Sequence, residues 1–272
     1  MMSVRYLKWV SIAFISLNLA ACSSLFEKED GPDRFPPNVA NIPDAVPKYE
    51  PIRPQNQKSY KVLGKRYYPL KTAAGYRERG IASWYGKKFH GNPTATGERY
   101  DMYKMTAAHK TLPLPSYVEV TNLNNGRKIV VRVNDRGPFH RGRIIDLSYS
   151  AAAKLGIIGN GTGQVEVRTV GAGYTASTSR NATQVAESTL KPAGPAKLYL
   201  QVGTFNTSSR AEQFKNNLAD KIQDEVLVMP FAKPEGRLYR VRVGPLTTVE
   251  YGDDLATRLM DLGFNDTHIV VE

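Results

Sequence analysis

The sequence contains a single cysteine, Cys22, among 272 residues, so neither a disulfide framework nor a cysteine-based zinc site can form within one chain. Tryptophan is scarce, with two, and the four histidines lack the HxH or HExxH spacing of a metal site, so neither metal nor cofactor is expected. The apolar run from Val10 to Leu19 is too short to span a bilayer, and a polytopic membrane protein is excluded. Acidic residues are outnumbered 25 to 37, giving a formal charge of +12. The excess is uneven: residues 76–171 hold 15 Lys and Arg against 7 Asp and Glu, while 197–272 hold 9 against 11. A nucleic-acid module needs a basic stripe over its binding face, so nucleic acid is not the expected partner.

What is present begins at the N-terminus. Arg5 and Lys8 precede the apolar run, and Ala20–Ala21 place small residues directly before Cys22. The string Leu19 to Cys22, LAAC, resembles the lipobox of bacterial lipoproteins. That resemblance implies a signal peptide over 1–21, a lipid on Cys22 and, with Ser23 following, an outer-membrane anchor facing the periplasm. Residues 22–75 are rich in Pro, Asn and charge without a period of 2 or 3.6, which reads as a flexible tether. A Ser/Thr/Ala-rich linker over 172–196 separates two modules, 76–171 and 197–272.

The first module is strand-like. Ile81–Tyr85, Val118–Asn122, Lys128–Asn134, Arg143–Asp146 and Gln164–Val170 alternate or run apolar between turn signals. Asn124–Asn125–Gly126 is a hairpin turn, because Asn and Gly tolerate positive φ, and Ser150–Leu155 reads as a short helix. Short strands with many turns suggest a small barrel that removes its edges by closure. GNGTG (Gly159–Gly163) lacks a Walker or Rossmann context and reads as a loop entering the last strand.

Five motifs carry a specific resemblance: GIASWYGKKFHG (Gly80–Gly91), TATGERYDM (Thr94–Met102), TAAHKTLPL (Thr106–Leu114), VRVNDRGPF (Val131–Phe139) and RIIDLS (Arg143–Ser148). In collinear order they resemble the rare lipoprotein A family, septal-ring lytic transglycosylases with a double-psi β-barrel. The resemblance implies cleavage of peptidoglycan glycan strands by attack of the muramic 6-hydroxyl on its own anomeric carbon. It also implies Asp135 as proton donor, His109 as its hydrogen-bond partner, and Glu98 and Asp101 as the other active-site positions. On residue type alone, Asp135 suits an Asx turn in NDRGP better, His109 a core histidine and Glu98 a solvated loop; the agreement of the motifs reverses those odds. Asp146 reads as structural, capping the helix near Ala151 or bracing a loop. Tyr85, from the aromatic loop Trp84–His90, is a candidate sugar contact.

The second module reads strand, helix, strand, strand, helix, strand: Lys197–Gly203, Ser209–Lys221, Glu225–Met229, Leu238–Val243, Thr248–Leu262 and Thr267–Val271. Ser209 with Glu212, and Thr247 with Glu250, form capping boxes at the two helix starts. LYLQVGTF (Leu198–Phe205) and LYRVRVGPL (Leu238–Leu246) resemble the SPOR domain, which implies binding to glycan stripped of stem peptides at division sites. Strand period projects Tyr199, Gln201 and Gly203 to one face and puts Arg240 and Arg242 on a shared face of the partner strand. With the resemblance, Gln201, Thr204, Arg240 and Arg242 are the expected lining of the glycan groove. The same βαββαβ order serves RNA-recognition modules, but RNP aromatic motifs are absent and the lipobox puts the chain in the envelope.

The expectation is a six-stranded double-psi β-barrel, mainly β, followed by an α+β, ferredoxin-like βαββαβ SPOR domain. The resemblance implies an endolytic lytic transglycosylase acting on denuded strands, leaving 1,6-anhydro ends, lipid-anchored and enriched at the septum, with divisome proteins as further partners. A non-catalytic, glycan-binding septal lipoprotein is the alternative.

Overall fold

A computed structural model describes residues 37–171, 196–233 and 236–272. The signal peptide, Cys22 and nearly all of the linker lie outside the described residues.

A closed barrel occupies the centre of the chain. Its strands are β3 (Arg77–Trp84), β4 (Thr106–His109), β5 (Ser116–Asn122), β6 (Lys128–Asp135), β7 (Arg143–Leu147) and β8 (Gly163–Thr169). They pair in the order β3-β7-β4-β6-β5-β8. The contacts β3–β7 and β4–β6 are parallel and the other four antiparallel, so the chain crosses itself in the manner of a double-psi barrel. The interior is filled by alternate strand residues, among them Ala82, Val118, Val131, Ile145 and Val167, all at 0% exposure. Burying these branched side chains supplies the main stabilisation.

Strand β4, TAAH, is the sixth strand and carries no sequence signal: four residues, all buried, show no alternation. The helix α1 (Tyr149–Leu155) is capped by Ser148, whose hydroxyl accepts a hydrogen bond from Ala151 N, and not by Asp146. Asn122–Arg127 closes the expected hairpin, with Gly126 at φ +71°.

The tether expectation fails for residues 37–75, which lie against the barrel. Ala45 N donates to Val130 O, and Asp44 accepts from Val130 N and from the Lys154 ammonium. Glu50 binds Arg132 through both carboxylate oxygens, at 2.7 and 2.8 Å, and accepts from Tyr117 Oη. A hairpin of β1 (Tyr60–Val62) and β2 (Lys65–Tyr67) follows, with Tyr60 and Tyr67 stacked and Phe139 packed beside them. Prolines and charges do not keep this segment off the barrel, because Asp44 and Glu50 each find an opposite charge there, in Lys154 and Arg132.

The C-terminal module comprises β9 (Leu198–Phe205), α2 (Ser208–Ala219), β10 (Val226–Lys233), β11 (Gly236–Leu246), α3 (Val249–Asp261) and β12 (His268–Val271). Its antiparallel sheet runs β10-β11-β9-β12, with both helices covering one face through Ala211, Leu218, Leu255 and Leu259. The N-caps are Thr207 and Thr248, one or two residues from the expected capping boxes; each hydroxyl accepts from the amide three residues on. Barrel and sheet meet: Ile81 is buried within the C-terminal core cluster, Arg143 pairs with Asp253 at 2.6 Å, and Arg141 Nη1 donates to Asn265 O.

Candidate active site

Asp135 stands at the end of β6, where strand pairing gives way to the NDRGP turn. Its Oδ1 accepts from the amides of Ala95 and Arg136, both at 2.8 Å. The Asx-turn reading and the catalytic one are therefore not exclusive: Oδ1 braces the turn while Oδ2 is left for chemistry. Burial raises its pKa, opposed by those two amides and by the Arg136 charge.

Register brings a second carboxyl to the same level of the wall. Ser83 pairs with Asp146, Asp146 with Ala108, and Ala108 with Asp135. Ser83, Asp146 and Ala108 share a face by lateral pairing. A register shift between Ala107 and Ala108, where Asp135 follows Val133 by two residues, brings Asp135 to the same row. Both carboxyls act on the buried Tyr85 hydroxyl. With strands about 4.8 Å apart, the backbones of Asp135 and Asp146 stand about 10 Å from each other. Asp146 accepts a hydrogen bond from the Ser83 hydroxyl, and burial raises its pKa against the opposing effects of Ser83, Arg143, Lys110 and His140. Sequence reasoning passed over Asp146 because its placement is visible only once β4 is inserted between β6 and β7.

Tyr85 packs as the floor of this face. It is 8% exposed, its ring stacks on Tyr100 at 4.0 Å, and it shares a small cluster with Met102 and Ala108. Its hydroxyl is buried with no well-formed hydrogen bond, and burial, then Tyr100, Asp135 and Asp146, push its pKa well above the usual phenol range. A neutral donor beneath two carboxyls is the result; a sugar-stacking face is not.

Glu98 approaches the end of β6. It accepts from Arg132 Nη1 at 2.9 Å, Asn134 Nδ2 at 3.2 Å and Thr96 Oγ1 at 3.3 Å. Burial alone would raise its pKa, but the hydrogen bonds from Asn134 and Arg132 and the Arg132 charge lower it, so Glu98 is ionised. It locks the 94–98 loop, whose Ala95 amide holds Asp135 and whose Thr96 amide binds Asn134 O. Asp101 turns elsewhere: Oδ1 accepts from Tyr103 N at 3.0 Å, with His90 Nδ1 at 4.0 Å and Lys104 Nζ at 3.9 Å.

His109 does not bond Asp135, contrary to the expectation. Nδ1 accepts from the amides of Thr111 and Leu112, at 3.1 and 2.9 Å, and Nε2 lies 2.8 Å from Tyr76 Oη. Two donors on Nδ1 require the proton to sit on Nε2, so the ring is neutral and donates to Tyr76. The ring is 3% exposed, and burial with the Lys110 and Arg136 charges lowers its pKa to about 3. Strand alternation points it inward, while its carbonyl accepts from Arg136 Nη1.

On the C-terminal sheet, Gln201 pairs with Arg242 and Thr204 with Arg240, on the face away from the helices. Arg242 is 2% exposed, bonded to Glu272 at 2.5 Å, and donates from Nε and Nη2 to Gln201 Oε1 at 3.4 Å. Gln201 Nε2 reaches Thr204 Oγ1 at 3.4 Å, and Arg240 lies 3.7 Å over the Phe231 ring. The four expected groove residues are thus contiguous, with Arg242 beneath and Arg240 nearer the surface. Among the described residues no cluster of His, Cys, Asp and Glu has the form of a metal site.

Comparison with known proteins agrees with the two-module fold. The family described as lytic transglycolase matches residues 77–167, and the SPOR domain matches residues 194–270. A relative from Vibrio cholerae serotype O1, named endolytic peptidoglycan transglycosylase RlpA, is 40% identical over 260 residues, covering 94% of each chain. Relatives of the same name from Pseudomonas aeruginosa and Neisseria meningitidis serogroup B are 40% and 41% identical, covering 81% and 76% of this chain and 78% and 81% of theirs. With both modules matched in order and the likeness running nearly end to end, this chain belongs to the rare lipoprotein A (RlpA) family.

Proposed function

We propose that this chain is an endolytic lytic transglycosylase that cuts stem-peptide-free glycan between N-acetylmuramic acid and N-acetylglucosamine, leaving 1,6-anhydro ends. The carboxyl row across β6, β4 and β7 carries the reading. Glycan scission needs one group to protonate the leaving oxygen and another to accept a proton from the attacking hydroxyl, and two carboxyls in unlike environments suit those tasks. Asp135 accepts two amides, which favour its ionised form; Asp146 accepts one hydroxyl. This argument puts the proton on Asp146, reversing the family-based assignment to Asp135. Asp146 gives its proton to the glycosidic oxygen as the C1–O4 bond breaks. The muramic 6-hydroxyl oxygen bonds to C1, and its proton passes to Asp135. Water is not consumed.

The second module supports delivery. Gln201, Thr204 and Arg240 offer polar groups suited to a hydroxyl-rich strand, with Arg242 holding Gln201 from beneath, and the septal address follows from the SPOR resemblance. A lipid on Cys22 would hold the enzyme at the envelope membrane.

Mass spectrometry of products from denuded glycan tests the reaction, and anhydro-ended fragments are expected. Asp135→Asn and Asp146→Asn should each cut the rate by about 10²-fold or more while the barrel still melts cooperatively. In residual activity, loss of the alkaline limb of the pH profile in Asp146→Asn and of the acidic limb in Asp135→Asn would support the assignment. The opposite pattern returns the acid to Asp135, and a folded wild type yielding no anhydro product leaves the non-catalytic alternative.

A further inference from the structure

Between barrel and C-terminal sheet lies a cleft of about 660 Å³ that the reaction as described does not use. Its walls carry Lys65 from the β1–β2 hairpin, Lys110 after β4, His140, Arg141 and Arg143 before and at the start of β7, and His268 on β12. Glu78 and Asp266 are also present, and Arg79 with them, so fixed positive charge prevails. Glu78 is already engaged by the Tyr76 hydroxyl and Arg143 by Asp253. Two cations are not matched in this way. Lys65 lies 5.9 Å from the Tyr67 ring centroid with no carboxylate partner among the described residues, and Lys110 donates to the Arg143 carbonyl. Arg143 is 8% exposed, and its Nη1 is buried without a hydrogen-bond partner. Such a donor costs free energy unless a ligand or water meets it.

Neither the carboxyls of the row nor the groove residues line the cleft, but its wall residues lie near both faces. Arg143 lies three residues before Asp146 on β7, and Lys110, Arg143 and His140 are the charges that act on Asp146. On the other side, His268 pairs with Gln201 across β12 and β9. A strand passing from the carboxyl row to the C-terminal sheet would cross the cations.

We propose that the junction cleft is an anion subsite that takes the lactyl carboxylate of N-acetylmuramic acid, so that barrel and sheet grip one glycan strand together. This rests on the proposed glycan substrate and extends it. Removal of the stem peptide from muramic acid uncovers one carboxylate per disaccharide, whereas an intact peptide occupies that arm as an amide. A cationic cleft beside the scissile site therefore selects stripped strands by charge, in addition to whatever the C-terminal face recognises.

The test uses the full chain carrying Asp146→Asn, so that strands are bound and cut only slowly. Three probes are titrated at low salt: denuded glycan, the same glycan with its lactyl carboxylates coupled to methylamine, and peptide-bearing glycan. Denuded glycan should bind on the order of tenfold tighter than its methylamide, with the advantage shrinking as salt rises. Lys65→Glu with Arg141→Gln should abolish the advantage, whereas Lys61→Glu on the same hairpin, outside the cleft, should keep it; thermal melts check the fold of each.

Equal affinity for free and amidated strands overturns the subsite, as does discrimination that survives the double variant. Tightest binding to peptide-bearing strands would assign the cations to stem-peptide carboxylates and overturn the lactyl assignment. Failure to bind any strand overturns the glycan reading together with the cleft. Charge discrimination by a protein whose wild type yields no anhydro product would leave the cleft standing and remove only the cleavage.

Discussion

Two backbone amides aimed at one ring nitrogen decide what His109 can do. Protonating Nδ1 would set a third N–H against those of Thr111 and Leu112, inside a site already held by Lys110 and Arg136 charges. The unfolded chain takes up this proton near pH 6.5 and the folded one only near 3, so the unfolded state binds more protons between those values. Stability contributed by His109 is therefore full above about pH 6.5 and falls away as pH drops toward about 3. His109→Asn, whose side-chain oxygen can accept the same amides, should melt at a temperature less dependent on pH across that window, while being about 1–2 kcal/mol less stable at neutral pH through loss of the Tyr76 bond and ring packing. Melting curves from pH 7 to 4 check this, and a slope identical to wild type would show that the ring protonates without cost. The family motif singled out His109, yet it could not tell a proton carrier from a core residue. That distinction lies in whether strand β4 presents the ring inward. Asp146 is the converse case, a residue whose caplike surroundings in the sequence hid its neighbourhood with Asp135.

Elements were legible where periodicity was strong. The runs of β5, β6 and β8 survive as read, β8 with alternating burial and β5 and β6 largely buried, while TAAH is too short to stand out. Residues 37–59 defeat pattern reading for another reason: they form no sheet with the barrel and are held by individual partners. Asp44 meets Lys154 and Val130; Glu50 meets Arg132 and Tyr117; Asn56 O accepts from Arg136. Hydrogen bonds from Arg132 lower the Glu50 pKa to about 2, against burial. Arg132 spans from Glu50 to Glu98, so the strap is tied electrostatically to the loop that braces Asp135. Glu50→Gln should cost about 1–2 kcal/mol, between a surface pair and a buried one, since both side chains are about one-fifth exposed. The wild-type contribution is present above pH 4.5 and lost as pH falls toward about 2, because the folded pKa is depressed. Denaturant unfolding gives the energy, and cleavage assays should show a lower rate with little change in KM if Glu98 loses its setting. An unchanged midpoint would mean that the strap lies on the barrel without supporting it.

At the scale of the whole molecule, two modules joined by a polar linker suggest beads on a string, but Ile81 contradicts that picture. It lies on β3 of the barrel, is fully buried, and belongs to the core cluster of the C-terminal module. Nothing in the sequence distinguishes it from Ala82, which faces the barrel interior, because docking between modules leaves no period of its own. Arg143 and Asp253 form an ion pair across the junction, with side chains 9% and 27% exposed, and Gly142 places its backbone against Ile269. Asp253→Lys would set an ammonium against a guanidinium that is almost fully desolvated, costing about 2–4 kcal/mol at the junction. That exceeds what a small inter-domain contact can absorb, so the modules should part while each keeps its own core. X-ray scattering should then show a larger radius of gyration and a broader distance distribution, with the barrel's melting transition retained. Cleavage of short glycans should persist, because the Asp135–Asp146 row lies wholly within the barrel. Activity on long strands should fall, because the two binding faces no longer share a fixed register along one chain of sugars. Scattering that matches wild type would show that Arg143 and Asp253 are incidental to docking; loss of activity on short and long strands alike would place part of the active face on the C-terminal module.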